Sequence, residues 1–261
     1  VYFENPKACS TTIKSILKTH PDKIRYHRIR GGPDLGEYNF ARLYRYYRRK
    51  RKDGGCGNRV TATPALFEDL FKNYFKFGFV RNPYDRYVSA YRMCIREAGR
   101  GESSGYTETL GWFDKYSAGS AMVREKAKAK RLASKYKKHT RENFREFFEK
   151  TIPYETDPNK MSKARRAAAI NHHWSPQIHF VPSDRVKLDF VGRFESFEED
   201  FRFVLDKIGF RHDGEIPKLN ATKLSNYMDY FNHTDEAGMR FFHDHYYEDF
   251  EHFNYKRSIQ C

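Results

Sequence analysis

Cysteine is scarce in this chain of 261 residues. None of its four cysteines lies in a CxxC pair: Cys9, Cys56, Cys94 and Cys261. A zinc ribbon or a dense disulfide scaffold is therefore not expected. A zinc site would use the histidines near the end of the chain, His243, His245 and His252. Their spacing fits no common ligand pattern, so the sequence predicts no metal.

Long apolar runs are also absent. No stretch approaches the roughly 20 apolar residues that cross a bilayer, which predicts a soluble piece without membrane contact. The chain begins at Val1 rather than at a methionine, so a signal or anchor segment could have been removed.

The chain lacks the GxxxxGK[ST] loop of P-loop kinases, and no acidic residue after an apolar strand stands out as a magnesium ligand. A small-molecule kinase shares the order of strand, loop and helix, and is kept as an alternative. Repeats and low-complexity linkers are missing too. Residues 1–261 are therefore expected to form one domain.

Positive charge is abundant. The formal net charge is +15, which attracts polyanions such as nucleotides, nucleic acid or acidic sugars. Many of the basic residues lie between about 112 and 170, which is predicted to be a basic helical insertion or acceptor-side subregion. A non-catalytic heparin- or nucleic-acid-binding module would explain this charge, but not the two phosphate-binding motifs described next.

Hydrophobic periodicity indicates strands that alternate with helices. Strands are predicted at residues 1–3, 24–29, 75–80 and 188–192, and helices from residue 10, over 63–74, from residue 83, within 123–150 and over 197–208. The last helix is expected to open with a capping box formed by Ser196 and Glu199. This alternation predicts an α/β fold with a parallel sheet flanked by helices.

The first phosphate-binding candidate lies between the first strand and the first helix. It is the run Pro6-Lys7-Ala8-Cys9-Ser10-Thr11-Thr12. Amides at a helix start favour an anion, and Ala8 and Ser10 are small enough for close approach. The hydroxyls of Ser10, Thr11 and Thr12 add donors, and Lys7 adds a mobile charge. An ordinary capped helix with an exposed lysine is the structural alternative.

The second candidate is the run FVRNPYDRYVSAYR, residues 79–92. Arg81 follows a predicted strand, where open α/β sheets bind ligands, and Ser89 faces away from the core on the next helix. An arginine fork and a serine hydroxyl can together bind a phosphate distant from the first loop. A surface serine and arginine on a capped helix would be the plain structural reading.

Together these motifs resemble those of the carbohydrate sulfotransferases, the group that contains the Golgi chondroitin, dermatan and uronyl 2-O-sulfotransferases and their bacterial relatives. Residues 6–12 resemble that family's 5′-phosphosulfate loop, and Arg81 with Ser89 resembles its 3′-phosphate motif. Further matches are HWSPQ at 173–177, FVGRFE at 190–195 with SFEED at 196–200, and YEDFEHFNY at 247–255. The resemblance spans nearly the whole chain, with the motifs in the family's order.

The resemblance implies a single sulfotransferase domain with a P-loop-like sheet and helical insertions. It implies 3′-phosphoadenosine-5′-phosphosulfate as donor, no metal, and in-line attack by a hydroxyl of an anionic glycan or another acceptor, with Lys7 stabilising the leaving oxygen.

Relatives often carry a histidine where this chain has residues 60–63, and Thr61 cannot act as a base. The base candidates are His173, His172 and His27, of which we favour His173 because its neighbours match a family motif. Lys223 is expected to add a contact to the 3′-phosphate, and nucleic acid is not an expected partner.

Overall fold

The structure is a computed structural model, and it describes residues 1–18, 28–30, 72–100, 140–152, 173–183, 186–217, 226–232 and 234–257. The chain forms two compact units. The first comprises Val1–Asn82, Pro176–Ala221 and Glu251–Asn254. The second comprises Pro83–Ser175, Thr222–Phe250 and Tyr255–Cys261.

Four parallel strands form a sheet in the first unit. The strands are β1 Tyr2–Glu4, β2 Arg28–Arg30, β3 Phe77–Val80 and β4 Phe190–Arg193. The helices of the described residues are α1 Ser10–Lys18, α2 Pro83–Arg100, α3 Arg141–Thr151, α4 Phe197–Lys207, α5 Met228–Phe231, α6 Glu236–His245 and α7 Tyr247–His252. A short 3₁₀ helix covers Gln177–His179. The α/β class and the parallel sheet predicted from the sequence are confirmed.

The strand order, β2-β1-β3-β4, determines where a ligand can bind. The chain moves outward from β1 to β2 and then returns to β3 on the other side of β1. In open α/β sheets the crevice at such a reversal, outside the carboxyl ends of the strands, is the usual ligand site. The segments that follow β1 and β3 are therefore the first places to look for function.

One face of this sheet packs against α1 and α4. Because side chains alternate along a strand, Phe77 and Phe79 project to the same face. They form a buried cluster with apolar residues of both helices: Ile13, Ile16 and Leu17 of α1, and Phe201, Val204 and Leu205 of α4. A Cβ added to Gly192 would lie 2.4 Å from the ring of Phe79, so β4 needs a glycine where this ring crosses it.

The second unit has an aromatic core. The apolar residues that recur at helical spacing along α2 are buried there: Tyr84, Val88, Tyr91 and Ile95. These side chains pack with aromatic residues of α3, α5 and α6, among them Phe147, Phe231 and Phe242. A polar stripe on the same helix is partly or fully exposed: Asp85, Ser89, Arg92 and Arg96. The exposure of Ser89 agrees with the prediction that it faces away from the core.

Several predicted boundaries were shifted or wrong. Strand β3 begins at Phe77 and β4 at Phe190, each two residues after the predicted start. Residues 72–74 form a turn rather than the end of a helix, and the rest of that prediction lies outside the described residues. The capping box was wrong, because the hydroxyl of Ser196 donates to the Asp200 carboxylate at 2.8 Å instead of capping the helix. That carboxylate also accepts from the Arg193 amide at 2.6 Å.

Other predictions fall on residues that are not described, including most of the strand at 24–29 and the helical region at 123–139. The described helices include none that is both long enough and apolar enough to traverse a bilayer.

Candidate functional site

The loop that follows β1 has an unusual backbone. Lys7 and Cys9 adopt positive φ angles of 67° and 58°, which L-residues other than glycine rarely do. Ala8 between them is fully buried, and its amide donates to the Asn5 carbonyl at 3.4 Å. Alternation of this kind also occurs in the backbone concavities that bind anions in other proteins. Strain of this kind also clusters at ligand sites.

Helix α1 begins directly after this loop. Its first helical hydrogen bond runs from the Ile13 amide to the Cys9 carbonyl at 3.1 Å. The amides of Ser10, Thr11 and Thr12 precede that bond, so none has an acceptor one turn back in the helix. Ser10 is half-buried, Thr11 is exposed and Thr12 is buried, so the first two present their side chains better than the third.

Arg81 follows β3 and reaches the loop. Its Nη1 donates to the Lys7 carbonyl at 3.2 Å, and its guanidinium carbon lies 3.7 Å from the centre of the Phe194 ring. The residue is only 8% exposed, and stacking on the ring restricts the plane of the fork. The structure thus places the arginine of the second motif beside the first motif, rather than at a distance from it.

The charges around the loop also act on Cys9. Burial raises the pKa of its thiol to about 12, against the opposing effect of the Arg81 guanidinium, while Glu195 adds to the increase. Glu195 accepts a hydrogen bond from the Asn82 amide at 2.7 Å. Cys9 therefore remains a neutral thiol at physiological pH and adds no negative charge beside the Arg81 guanidinium.

Two buried side-chain amides, which neither sequence motif predicted as site residues, connect these segments. The side chain of Gln177 accepts from the Arg81 amide at 2.9 Å and donates to the Arg81 carbonyl at 2.7 Å. The side chain of Asn5 donates to Gln177 at 2.8 Å and to the Phe79 carbonyl at 2.9 Å. The signal in the sequence was a polar amide beside each motif: Asn5 precedes the loop, and Gln177 ends the HWSPQ run.

Ser89 belongs to the second unit. It is half-buried on α2, as is Arg92, which lies three positions later on the same polar stripe. The Nε of Arg92 donates to the Tyr230 hydroxyl at 3.0 Å, which orients the guanidinium. The same face of the helix thus carries the Ser89 hydroxyl and the oriented guanidinium of Arg92.

His173 also belongs to the second unit and is half-buried. The residues after it are anchored through their carbonyls. The buried Arg86 donates to the Ser175 carbonyl at 2.7 Å, and the Tyr246 hydroxyl donates to the Trp174 carbonyl. These bonds fix the backbone directly after His173, and the role of His173 as a base stays a prediction.

The remaining candidates are not described. His172, His27 and Lys223 lie outside the described residues, as do most of residues 112–170. Within the ranges that the structure describes, no group of three or more His, Cys, Asp or Glu residues could hold a metal ion.

Comparison with known proteins gives a consistent result. A model described as the sulfotransferase family matches residues 1–256. The chain is 25% identical over 72% of its length to carbohydrate sulfotransferase 10 of Xenopus laevis, and the match covers 49% of that protein. It is 26% identical over 70% of its length to carbohydrate sulfotransferase 11 of Mus musculus, and the match covers 47% of that protein.

A third relative, carbohydrate sulfotransferase 14 of Danio rerio, is 30% identical over 59% of the chain, and the match covers 35% of that protein. The chain therefore spans about half the length, or less, of these curated relatives. No solved structure matches the chain significantly.

Proposed function

The chain belongs to the sulfotransferase family, and we propose that it transfers the sulfuryl group of 3′-phosphoadenosine-5′-phosphosulfate to a hydroxyl group of a carbohydrate. The observation that carries this proposal is the strained loop at Lys7 and Cys9, with the Arg81 guanidinium beside it at the switch point of the sheet. Strained backbone, helix-start amides and a buried arginine fork are together suited to a phosphate-type anion.

In this proposal each residue that binds the sulfate donor has a stated role. The loop amides and the hydroxyls of Ser10 and Thr11 hold the 5′-phosphosulfate, and Lys7 stabilises the negative charge that develops on the departing phosphate oxygen. Arg81 and Ser89 bind the 3′-phosphate, and Lys223 adds to that contact. The sheet would then bind the donor phosphates in the way that a P-loop fold does, although the chain lacks the GxxxxGK[ST] sequence.

The reaction is an in-line displacement at sulfur. The bond between sulfur and the bridging phosphate oxygen breaks, and a bond forms between sulfur and the acceptor oxygen. The electron pair of the broken bond leaves with adenosine 3′,5′-bisphosphate. The acceptor's proton passes to His173, with His172 and His27 as the next candidates.

The acceptor is proposed from the relatives and from charge. The three relatives are named carbohydrate sulfotransferases, and a net charge of +15 suits an anionic glycan. We assign residues 1–261 to one sulfotransferase domain, with the basic region near 112–170 on the acceptor side. A Golgi-lumenal location would follow for a eukaryotic source, and a cytoplasmic one for a bacterial source.

Two measurements test the proposal. Calorimetry should show binding of adenosine 3′,5′-bisphosphate that is tighter than binding of ATP with magnesium. Incubation with radiolabelled donor and a panel of chondroitin, dermatan and heparan oligosaccharides should then move label to one class of glycan. Tighter binding of ATP with magnesium would favour the kinase alternative. Donor binding without transfer to any glycan would exclude a carbohydrate as the acceptor.

A further inference from the structure

At the end of β3, the side chain of Gln177 supplies the hydrogen-bond partners of the Arg81 backbone. Arg81 is the first residue after the strand and is nearly buried, so both its amide and its carbonyl need partners. The fully buried carboxamide of Gln177 supplies both partners, at 2.9 and 2.7 Å. It pairs with Arg81 as the backbone of a neighbouring strand would.

The same carboxamide reaches the donor loop through Asn5. Oε1 of Gln177 accepts from Nδ2 of Asn5 as well as from the Arg81 amide, and Nδ2 of Asn5 also donates to the Phe79 carbonyl. Because each amide nitrogen faces an acceptor and Oε1 faces two donors, Gln177 and Asn5 each have a single consistent orientation. The pair joins the residue before the loop to the residue that carries the guanidinium.

We propose that Gln177 is a positioning residue for the sulfate donor: it holds the backbone of Arg81 in register with the start of the donor loop, so that loop and guanidinium bind one nucleotide together. This inference rests on the proposed function of the site. It assigns to Gln177 no contact with the donor. Its effect reaches the nucleotide through Arg81 and Asn5, and a small displacement of such groups reduces binding strongly.

The chain offers a matched control at the opposite end of the same strand. There the Asp189 carboxylate accepts from the Lys76 amide at 2.6 Å, just before β3 begins. Asp189→Ala removes one side-chain hydrogen bond to the backbone of a residue that flanks β3, and Gln177→Leu removes two. A general weakening of the strand would therefore affect both variants alike, whereas a positioning role concerns Gln177 alone.

The test compares Gln177→Leu, which keeps the volume, and Gln177→Glu, which keeps the shape and loses the amide donor, with Asp189→Ala. Each full-length variant is titrated with adenosine 3′,5′-bisphosphate by calorimetry at a temperature where circular dichroism shows it folded. We expect both Gln177 variants to weaken binding by about tenfold or more and Asp189→Ala to stay within about twofold. Steady-state kinetics should show the loss as a raised KM for the donor, with the acceptor KM unchanged.

The outcomes separate the two claims. Wild-type protein that does not bind the bisphosphate contradicts the proposed function and removes this inference with it. Wild-type protein that binds it, together with either folded Gln177 variant binding equally well, overturns the positioning role alone. If Gln177→Leu does not fold, the isosteric Gln177→Glu and the partner variant Asn5→Ala carry the same comparison.

Discussion

The guanidinium of Arg81 donates to the main-chain carbonyl of Lys7 at 3.2 Å. Seventy-four positions separate these residues in the chain. Each comes from one of the two motifs that were interpreted as separate phosphate sites. Their contact brings the residues that follow β1 and β3 side by side in the first unit.

The fork of Arg81, and not only its charge, should matter. Arg81→Lys keeps the positive charge and loses both the bidentate geometry and the stacking on Phe194. We expect its affinity for adenosine 3′,5′-bisphosphate to fall by about tenfold, and that of Arg81→Ala to fall further. Isothermal titration measures both. Arg202→Lys on the exposed surface of α4 is the control, and an unchanged affinity in Arg81→Ala would refute the assignment.

Two substitutions separate the contribution of the Lys7 backbone to stability from the contribution of its side chain to sulfuryl transfer. Lys7→Ala and Lys7→Gly both remove the ammonium group, so both should lose most sulfuryl transfer. Only glycine accepts the φ of 67° without strain, so Lys7→Gly should be more stable than Lys7→Ala by about 1 kcal/mol. Urea unfolding gives the difference. Equal stability would mean that the left-handed backbone at this position is not retained in solution.

His173 should contribute to the chemical step and not to donor binding. His173→Gln is expected to lower kcat by about a hundredfold or more, because general-base catalysis contributes on that scale. Its affinity for the bisphosphate should match the wild type. His212→Gln, at a half-buried position in the first unit, is the control. A wild-type kcat in His173→Gln would transfer the base assignment to His172 or His27.

Gly192 should not tolerate a methyl group. The added Cβ would lie 2.4 Å from the ring of Phe79, which packs against the rings of Phe197 and Phe201 and cannot move aside without disturbing them. We expect Gly192→Ala to lower the free energy of unfolding by about 2 kcal/mol. Gly214→Ala has its nearest contact at 3.7 Å and should change stability little. Similar losses in both variants would contradict the close packing of β4.

The contact between His243 and Tyr84 predicts a pH dependence. Nε2 of His243 lies 2.5 Å from the Tyr84 hydroxyl, and that hydroxyl donates to the Arg257 carbonyl at 2.7 Å. Burial, with a smaller contribution from the positive charge of Arg257, lowers the pKa of this histidine below its usual 6.5.

A lowered histidine pKa means that the unfolded chain takes up the proton more readily than the folded one. The stabilisation is therefore complete above pH 6.5 and is lost as the pH falls through the folded-state pKa. Urea unfolding at pH 8 and at pH 5.5 should show the wild type losing more stability on acidification than His243→Gln. An equal loss in both proteins would exclude His243 as a contributor to acid sensitivity.

The sequence by itself determined the class of fold and the location of the donor motifs. The periodicity of Ile13, Ile16 and Leu17, and of the stripe along α2, follows from local geometry, so both helices could be placed without tertiary information. The order of strands and helices was sufficient for a parallel sheet. The capping of α4 was not determined in this way, because the Ser196 hydroxyl donates to the Asp200 carboxylate and caps no helix amide.

Only the tertiary structure decided how the site is assembled. Arg81 donates to the Lys7 carbonyl because β1 and β3 are neighbours in the sheet. Asn5 donates to Gln177 because the segment at 176–183 lies beside the ends of these strands. No periodicity or motif spacing encodes a contact between residues 74 or 172 positions apart. The strained backbone at Lys7 and Cys9 was hidden for a related reason: neither residue is a glycine, and it is the surrounding packing that holds them in the left-handed region.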